Sequence, residues 1–301
     1  MLDGGMGREL RFRGVETPPT IWSTNGLLTA PKVVRQIHLD YISAGADIIT
    51  TNTYGIIRRD LAKVGMEDRF AELNILACGL ADEARAAVDR PVLIAGSLPP
   101  LHGSYRPDLV GALDEIEPLY REQAGLLAPH VDILLCETMS SAAEGRAAAR
   151  AACRTDKPVW VAWTLHEDRS GRLRSGEAVR EAVAAVSDLP VAGYLLNCCA
   201  PESITAALPE LLTTGASTIG GYANTFSPIP EDWALDGNKD GDGWLTLRQD
   251  LDPESYARHV ADWLKDGATV VGGCCGTRPA HISYVYEKLI LPCRQLDSGS
   301  R

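Results

Sequence analysis

The chain has 301 residues, 45% of them apolar and 23% charged, a composition that favours a compact fold throughout and excludes a disordered chain. Its 29 basic and 40 acidic residues give a net charge of −11 without a long Lys/Arg run, which argues against nucleic-acid binding. No stretch approaches about 18 consecutive apolar residues and the N-terminus does not resemble a signal peptide, so we expect a cytoplasmic protein without a membrane segment.

Short apolar or β-branched runs recur along the chain, and segments with helical spacing separate them. Strands are predicted over residues 1–4, 47–51, 91–95, 131–135, 158–163, 191–196, 217–220 and 268–271. Most of these runs are almost continuously apolar, which is typical of parallel strands buried on both faces. Eight alternating strands and helices predict an α/β fold, a single (β/α)8 TIM barrel. We expect one domain over residues 1–301, with a flexible tail at 294–301.

In such a barrel the active site lies at the carboxyl ends of the strands. Small, polar and thiol-bearing residues are concentrated at the predicted ends, which include Asp3-Gly4-Gly5, Thr51-Asn52-Thr53-Tyr54, Cys136-Glu137-Thr138, Asn197-Cys198-Cys199 and Gly272-Gly273-Cys274-Cys275-Gly276-Thr277. These segments are therefore expected to converge on one mouth of the barrel.

Four of the eight cysteines form two adjacent pairs, Cys198-Cys199 and Cys274-Cys275, at the ends of the sixth and eighth predicted strands. In a reducing compartment such pairs do not indicate a disulfide framework. Three thiolates with one open position suit a catalytic zinc ion, because structural zinc usually has four protein ligands. We therefore predict a Zn²⁺ site at Cys198, Cys274 and Cys275, with a vicinal disulfide as the alternative.

One geometric difficulty concerns the adjacent pair. Consecutive residues of a strand point to opposite faces, so Cys274 and Cys275 reach one metal only if the backbone turns there. The flanking glycines, Gly272, Gly273 and Gly276, tolerate the positive φ values that such a turn needs. We therefore expect the chain to leave the strand at this point.

The remaining cysteines are given a plainer interpretation. Free cysteine behaves as a small apolar residue, so Cys78 and Cys153, within helices, are predicted core residues. Cys293 is predicted to be an idle thiol. Cys136 and Cys199 are left open between core and site.

In order along the chain, these segments resemble the zinc-dependent homocysteine S-methyltransferase family. The residues that carry the resemblance are Leu2-Asp3-Gly4-Gly5-Met6-Gly7, Thr51-Asn52-Thr53-Tyr54, Glu137-Thr138, Asn197-Cys198 and Gly272-Gly273-Cys274-Cys275-Gly276-Thr277 with Pro279 and His281. The Gly-Gly-Cys-Cys-Gly motif paired with an upstream Asn-Cys is highly specific. The resemblance implies an enzyme that moves a methyl group onto the thiol of homocysteine, giving methionine, with Cys198, Cys274 and Cys275 as the zinc ligands.

The resemblance also implies roles for residues that bind homocysteine. Asp3 and Glu137 would hold its amino group. Without the resemblance, the residues themselves favour plainer interpretations: a turn residue for Asp3 and a structural ion-pair partner for Glu137. The other implied substrate-site residues are Gly4 and Gly5, whose backbone N–H groups would receive the carboxylate, and Asn52 and Asn197, which would brace the site.

The methyl donor is expected to be a cation, because four thiolates around Zn²⁺ carry a charge of −2 and transfer removes positive charge from the leaving group. S-methylmethionine or S-adenosylmethionine fits best; a betaine-like or other sulfonium donor is an alternative. The aromatic residues Tyr54, Trp163 and Tyr222 either face this cation or pack in the core. The chain departs from the family pattern at residues 55–59 and 96–103, which border the mouth.

Three alternative interpretations remain. The acceptor could be another thiol or a selenol, or the same cysteines could serve a zinc- or thiol-sensing protein without turnover. Residues 238–246 resemble the start of a calcium-binding loop, but the twelfth position is Gln249, which cannot give bidentate carboxylate coordination. We expect residues 236–249 to form a solvated acidic loop over the mouth, where it could act as a lid, rather than a calcium site.

Overall fold

The computed structural model describes residues 1–231, 233 and 245–298, apart from the side chains of 296–298. Most of the acidic loop expected over residues 236–249 lies outside the described residues, and with it the proposed lid and most of the segment that resembles a calcium loop. Among the described residues, no helix is both long enough and apolar enough to cross a membrane.

The described residues form seven parallel strands in one curled sheet, in which each strand pairs with the next along the chain. The strands are β1 Ile48–Thr50, β2 Leu93–Leu98, β3 Ile133–Met139, β4 Val159–Trp163, β5 Val191–Asn197, β6 Ile219–Ala223 and β7 Val270–Gly273. Parallel pairing in sequential order, with helices in the connections, gives a barrel-like α/β fold. These seven strands correspond to seven of the eight predicted.

The segment predicted as the first strand is reduced to a single bridge. Leu2 pairs with Ile48 of β1, and its N–H donates to the carbonyl of Val271 in β7 at 2.8 Å. The Gly273 N–H donates to the Asp3 carbonyl, also at 2.8 Å. Residues 2–3 thus lie between the two edge strands, but the chain turns into a helix soon afterwards. The described residues therefore form seven strands where eight were expected.

Helices cover the outer side of the sheet. They are α1 Met6–Phe12, α2 Thr24–Thr29, α3 Pro31–Ser43, α4 Arg58–Lys63, α5 Phe70–Arg85, α6 Leu113–Leu127, α7 Ala142–Ala152, α8 Val179–Ala185, α9 Pro201–Leu212, α10 Pro253–Asp266, α11 Pro279–Val285 and α12 Leu291–Ser298. A π-helical turn, Tyr286–Ile290, joins the last two. Residues 294–298, expected to belong to a flexible tail, are helical and form the last part of α12.

Five strands, β2, β3, β5, β6 and β7, run further than the apolar pattern predicts. The added residues include Ser97, Glu137 and Asn197, all buried and all hydrogen-bonded through their side chains. A strand prediction based on apolar runs stops at the first polar residue. Here the polar residues continue the strand because neighbouring side chains satisfy them at the mouth.

The side chains of the strands alternate between two cores. The inner core fills the space that the sheet encloses and contains Leu2, Ile48, Ala95, Ile133, Leu135, Trp160, Ala162, Leu195, Tyr222 and Val270. The outer core lies between the sheet and the helices, and Cys78, Cys136 and Cys199 belong to it. Trp163 is also in the outer core, stacked on Tyr194, so its ring does not reach the mouth.

Candidate metal and substrate site

Three cysteine sulfurs meet at the carboxyl end of the sheet. The Sγ atoms of Cys198, Cys274 and Cys275 all lie within 4.8 Å of one another. The segment that carries Cys198 and the segment that carries Cys274 and Cys275 both hydrogen-bond to β6, which lies between β5 and β7. The Cys198 N–H donates to the Tyr222 carbonyl at 3.1 Å, and the Cys274 N–H donates to the Ala223 carbonyl at 2.8 Å. The convergence expected from the strand order is therefore observed, and the three thiols are free.

Cys274 and Cys275 lie beyond the end of β7, in a tight turn. The N–H and the hydroxyl of Thr277 both donate to the Cys274 carbonyl, at 3.1 and 2.7 Å. Gly276 has a φ of 81°, in the left-handed region, and a Cβ there would lie 2.2 Å from Thr225 Oγ1. The turn removes both cysteines from strand alternation, so both sulfurs can reach Cys198.

The protons of the metal-free cluster are shared unequally. Burial by itself raises the pKa of the Cys198 thiol, but hydrogen bonds from Cys274, Cys275 and Tyr105 outweigh it and bring that pKa well below its usual value. Hydrogen bonding to Cys198 raises the pKa of Cys274 and Cys275. The cluster therefore favours one thiolate, on Cys198, and a bound cation would favour loss of the other two protons.

A cavity of about 70 Å³, here called the inner cavity, opens in front of the sulfurs. Its walls are residues 2–7, 22–23, 50–52, 54, 137, 198, 222 and 273–275. Sulfurs around a tetrahedral zinc ion lie about 3.8 Å apart when each Zn–S bond is about 2.3 Å. The observed spacing thus needs only a small inward movement to hold a metal, whose fourth position would face the cavity.

Two buried carboxylates lie on another part of the inner cavity wall. Asp3 accepts hydrogen bonds from the N–H and the hydroxyl of Thr50, at 2.8 and 3.0 Å. Glu137 accepts from the hydroxyls of Ser97, at 2.5 Å, and Tyr222, at 3.1 Å. Among the described residues, no Lys or Arg side chain lines this cavity. Its carboxylates are therefore suited to a cationic group of a ligand.

Burial changes the acidity of both carboxyl groups. Burial raises the pKa of Asp3 to about 7, hydrogen bonds from Thr50 oppose the shift, and the charge of Glu137 adds to it. Burial also raises the pKa of Glu137 to about 7, against hydrogen bonds from Ser97 and Tyr222. An ammonium group in this cavity would favour the ionised form of both carboxyls.

Three other residues predicted to bind substrate, Gly4, Gly5 and Asn52, also line the inner cavity. The Gly5 N–H donates to the Thr277 carbonyl at 3.3 Å, so this amide already has a partner. The Asn52 side-chain N–H donates to the Ser23 carbonyl at 3.0 Å, which ties the end of β1 to the segment before α2.

Asn197 is placed behind the site rather than on its wall. Its side-chain oxygen accepts from the Thr138 N–H, and its side-chain nitrogen donates to the Thr138 hydroxyl, at 2.9 Å each. Thr138 has a φ of 63°, a conformation that is uncommon outside glycine. The pair of hydrogen bonds therefore fixes the strained residue that follows Glu137.

A second cavity, of about 150 Å³, adjoins the first and is here called the outer cavity. Trp22, Tyr54 and Cys275 line both cavities. Loops and the first turn of α4 supply most of the rest of the outer wall, at residues 19–21, 55, 57, 59–60, 102–106, 109, 226, 233 and 245. The Tyr54 hydroxyl is 2.7 Å from Ser104 Oγ, and the ring centroids of Tyr105 and Trp233 are 5.5 Å apart. Aromatic rings therefore form part of this wall, together with two arginines and one aspartate from the ranges above.

Comparison with known proteins agrees with this geometry. A family model described as homocysteine S-methyltransferase matches residues 1–289. The chain belongs to the homocysteine S-methyltransferase family. It is 30% identical to the homocysteine S-methyltransferase of Escherichia coli (strain K12), over 94% of this chain and 93% of that protein. It is 28% identical to the selenocysteine methyltransferase of Astragalus bisulcatus, over 96% of this chain and 92% of that protein.

A solved structure is similar over the same range. The metallated form of the homocysteine methyltransferase MmuM from Escherichia coli has a TM-score of 0.79 at 28% identity, covering 95% of both chains. The cysteine cluster and this metallated relative together indicate a metal centre in the present member of the homocysteine S-methyltransferase family. The chain is accordingly an enzyme of the methyltransferase class.

Two residues on the cavity walls, Trp22 and Tyr105, lie outside the family motifs and the predicted strand ends. Both have left-handed backbone, with φ of 37° and 65°. Nothing in an apolar or helical pattern marks such a conformation in advance. The one available signal is Gly7, where a Cβ would lie 2.4 Å from the Trp22 ring, so the glycine leaves room for that ring.

Proposed function

We propose that the protein transfers a methyl group from a cationic sulfonium donor to the thiol of homocysteine, giving methionine, and that it uses Zn²⁺ bound by Cys198, Cys274 and Cys275. The observation that carries the proposal is the inner cavity, with three sulfurs on one wall and two buried carboxylates on another. A thiol-bearing amino acid fits such a cavity with its sulfur at the cluster and its ammonium group at the carboxylates.

Homocysteine would be held at its amino acid end by the N-terminal segment and β3. Asp3 and Glu137 bind the ammonium group, since both are buried, both lie on the cavity wall, and no basic side chain of the described residues competes for them there. The backbone at Gly4 receives the carboxylate, with Gly5 as a donor shared with Thr277. Asn52 holds the adjoining wall in place.

The donor set suits zinc, which takes thiolate ligands readily and is commonly tetrahedral. When bound, Zn²⁺ lowers the pKa of the acceptor thiol, so that a good nucleophile forms at neutral pH. The three cysteines keep negative charge at the site after that proton is lost. Their anchorage on β6 leaves the side towards the inner cavity open to the incoming sulfur.

The methyl donor would occupy the outer cavity. Aromatic rings attract cations through their faces, and Trp22, Tyr54 and Trp233 supply such rings on this wall. Because Cys275 lines both cavities, a sulfonium methyl in the outer cavity can face a sulfur held at the cluster. S-methylmethionine and S-adenosylmethionine are the proposed donors.

The proposal extends to the shape of the sheet and to the number of domains. Residues 1–4 take the place of an eighth strand and complete a (β/α)8 barrel, supported by the bridge of Leu2 to β1 and its hydrogen bond to β7. Residues 1–301 form one domain. Closure at this point would bring Asp3 beside the cysteine turn.

Incubating the purified, zinc-loaded protein with homocysteine and a donor panel tests the proposal. The panel contains S-methylmethionine, S-adenosylmethionine and glycine betaine, and methionine is measured by mass spectrometry. We expect methionine with at least one sulfonium and none with betaine. Absence of methionine with every donor, from a protein that retains zinc, would contradict the proposal.

A selenol acceptor is a second candidate, because the chain is 28% identical to a selenocysteine methyltransferase. Selenocysteine has one methylene fewer than homocysteine, so it spans the distance from the carboxylates to the sulfurs less well. Selenohomocysteine is the matched control, since it keeps the length and changes only the reacting atom. We expect kcat/KM to be higher for selenohomocysteine than for selenocysteine; the reverse order would favour the second candidate.

A further inference from the structure

The hydroxyl of Tyr105 lies 3.0 Å from the sulfur of Cys198. Both residues are almost completely buried, and both have left-handed backbone, with φ of 65° and 50°. Such conformations in residues other than glycine persist only where the surroundings hold them. Two strained residues from different loops thus meet at one hydrogen bond, directly beside the metal site.

A buried ion pair holds the Tyr105 ring in this position. The guanidinium of Arg174 lies 5.0 Å from the centre of the ring, and its side chain is 2% exposed. Arg174 pairs with Glu167 at 2.9 Å, and Glu167 accepts a hydrogen bond from the Ala200 N–H at 3.2 Å. Ala200 is two residues beyond Cys198. The ion pair therefore contacts both the Tyr105 ring and the loop that carries Cys198. It fixes the Tyr105 hydroxyl relative to the Cys198 sulfur.

Tyr105 also lies between the outer cavity and the sulfur of Cys198. It lines the outer cavity, where the donor is proposed to bind, while Cys198 lines the inner cavity only. A hydrogen bond to a thiolate withdraws charge from it and lowers its nucleophilicity. The Cys198 sulfur is thus screened from the outer cavity and is a weaker nucleophile than a thiolate without such a hydrogen bond.

We propose that Tyr105 is a positioning residue that donates a hydrogen bond to the Cys198 thiolate and so directs methylation to the acceptor sulfur instead of the protein. The inference rests on the proposed function. Without Tyr105, the sulfonium carbon–sulfur bond would break as a carbon–sulfur bond forms at Cys198. The donor would leave as a neutral sulfide, and Cys198 would become an S-methyl thioether.

Cobalt substitution gives a readout that does not depend on turnover. We expect Tyr105→Phe, which keeps the ring, to move the sulfur-to-cobalt charge-transfer band to longer wavelength, because a thiolate without its hydrogen bond gives up an electron more easily. Tyr54→Phe is the matched control. Its hydroxyl bonds Ser104 Oγ at 2.7 Å, so its loss should leave the band in place.

Mass spectrometry gives the second readout. In the zinc-loaded protein incubated with S-methylmethionine or S-adenosylmethionine and no homocysteine, we expect at least about tenfold more methylated Cys198 in Tyr105→Phe than in the unaltered protein. If Tyr105→Phe does not fold, the same hydrogen bond can be tested in a cobalt-substituted protein in which every tyrosine is replaced by 3-fluorotyrosine. The more acidic phenol donates more strongly, so the charge-transfer band should move to shorter wavelength.

The outcomes separate the inference from the proposed function. A chain that binds no cobalt or zinc contradicts the proposed function itself. A Tyr105→Phe protein that binds one equivalent of cobalt with an unchanged charge-transfer band overturns the inference alone. A change in the ligand-field bands that shows loss of an oxygen ligand also overturns it, since the phenol would then bind the metal directly.

Discussion

The inner and outer cavities adjoin at Trp22, Tyr54 and Cys275 but are built in different ways. Strand ends and tight turns form most of the inner wall, and its carboxylates are fixed by hydrogen bonds. Loop side chains form most of the outer wall, which includes several aromatic rings. The inner cavity therefore selects by charge and fixed geometry, whereas the outer cavity selects by contact with rings that loop changes can rearrange. Substitutions on each wall should affect one substrate and spare the other.

The largest effect is expected where the two cavities share a residue. Cys275→Ala should lower bound zinc and reduce methionine formation by about a thousandfold or more, because a metal with two protein thiolates is held far less tightly. Metal analysis and initial rates measure this. Cys293→Ser, at an exposed position, is the control and should retain both. Full zinc and full activity in Cys275→Ala would refute the ligand assignment.

A change confined to the inner wall should affect homocysteine alone. Asp3→Asn keeps the shape of the side chain but removes its charge, and a hydrogen bond to a charged group is worth about 1.5–3 kcal/mol. We expect KM for homocysteine to rise by about 10- to 100-fold with KM for the donor within about twofold. Asp114→Asn, on the exposed side of α6, should match the unaltered enzyme. Equal rises in KM for homocysteine and KM for the donor would contradict the assignment of one substrate to each cavity.

A change confined to the outer wall should affect the donor alone. Trp233→Leu removes a ring next to Tyr105, and a cation–π contact is worth about 0.5–2 kcal/mol. Steady-state kinetics with a sulfonium donor should show KM for the donor raised by about 2- to 30-fold and KM for homocysteine unchanged. An effect on homocysteine of the same size would mean that the cavities act as one site.

The smallest effect concerns stability and pH in the metal-free protein. A carboxyl with a pKa of about 7 when folded and about 3.9 when unfolded favours folding at low pH and loses that contribution as the pH rises towards 7. The Tm of the unaltered protein should therefore fall relative to that of Asp3→Asn between about pH 4 and pH 7, by about 3–10 °C. The Tm of Trp233→Leu should change with pH as that of the unaltered protein does. If the Tm of Asp3→Asn also changes with pH in that way, the raised pKa of Asp3 is contradicted.

The difference between the cavities also explains what could be predicted from the sequence. Seven strands and the meeting of Cys198 with the Cys274-Cys275 pair follow from apolar runs and strand order, which depend on local composition. The turn at Gly276 follows from the freedom of glycine in φ. Asp3 and Glu137 stand at predicted strand ends, and both line the inner cavity. The family resemblance, and not the spacing, is what suggested their roles.

The outer wall could not be predicted in the same way. Trp22, Tyr105 and Trp233 come from connections without periodicity, and their placement depends on contacts between loops distant in sequence. Trp163, which stands at a strand end as Tyr54 does, points into the outer core instead of the mouth. The strand predicted over residues 1–4 is reduced to one bridge for a related reason, because strand propensity gives no measure of how soon the chain must turn into α1.

One short strand, β6, holds the backbone of two of the three cysteines. The backbone N–H groups of Cys198 and Cys274 donate to neighbouring carbonyls of β6, those of Tyr222 and Ala223. In the same strand, a Cβ at Gly220 would lie 1.6 Å from the Val270 carbonyl oxygen. A side chain at Gly220 would push β6 and β7 apart and increase the distance between the Cys198 and Cys274 sulfurs. It would do so without lining either cavity. The spacing of these thiolates therefore depends on a close backbone contact between β6 and β7 that lies outside both cavities.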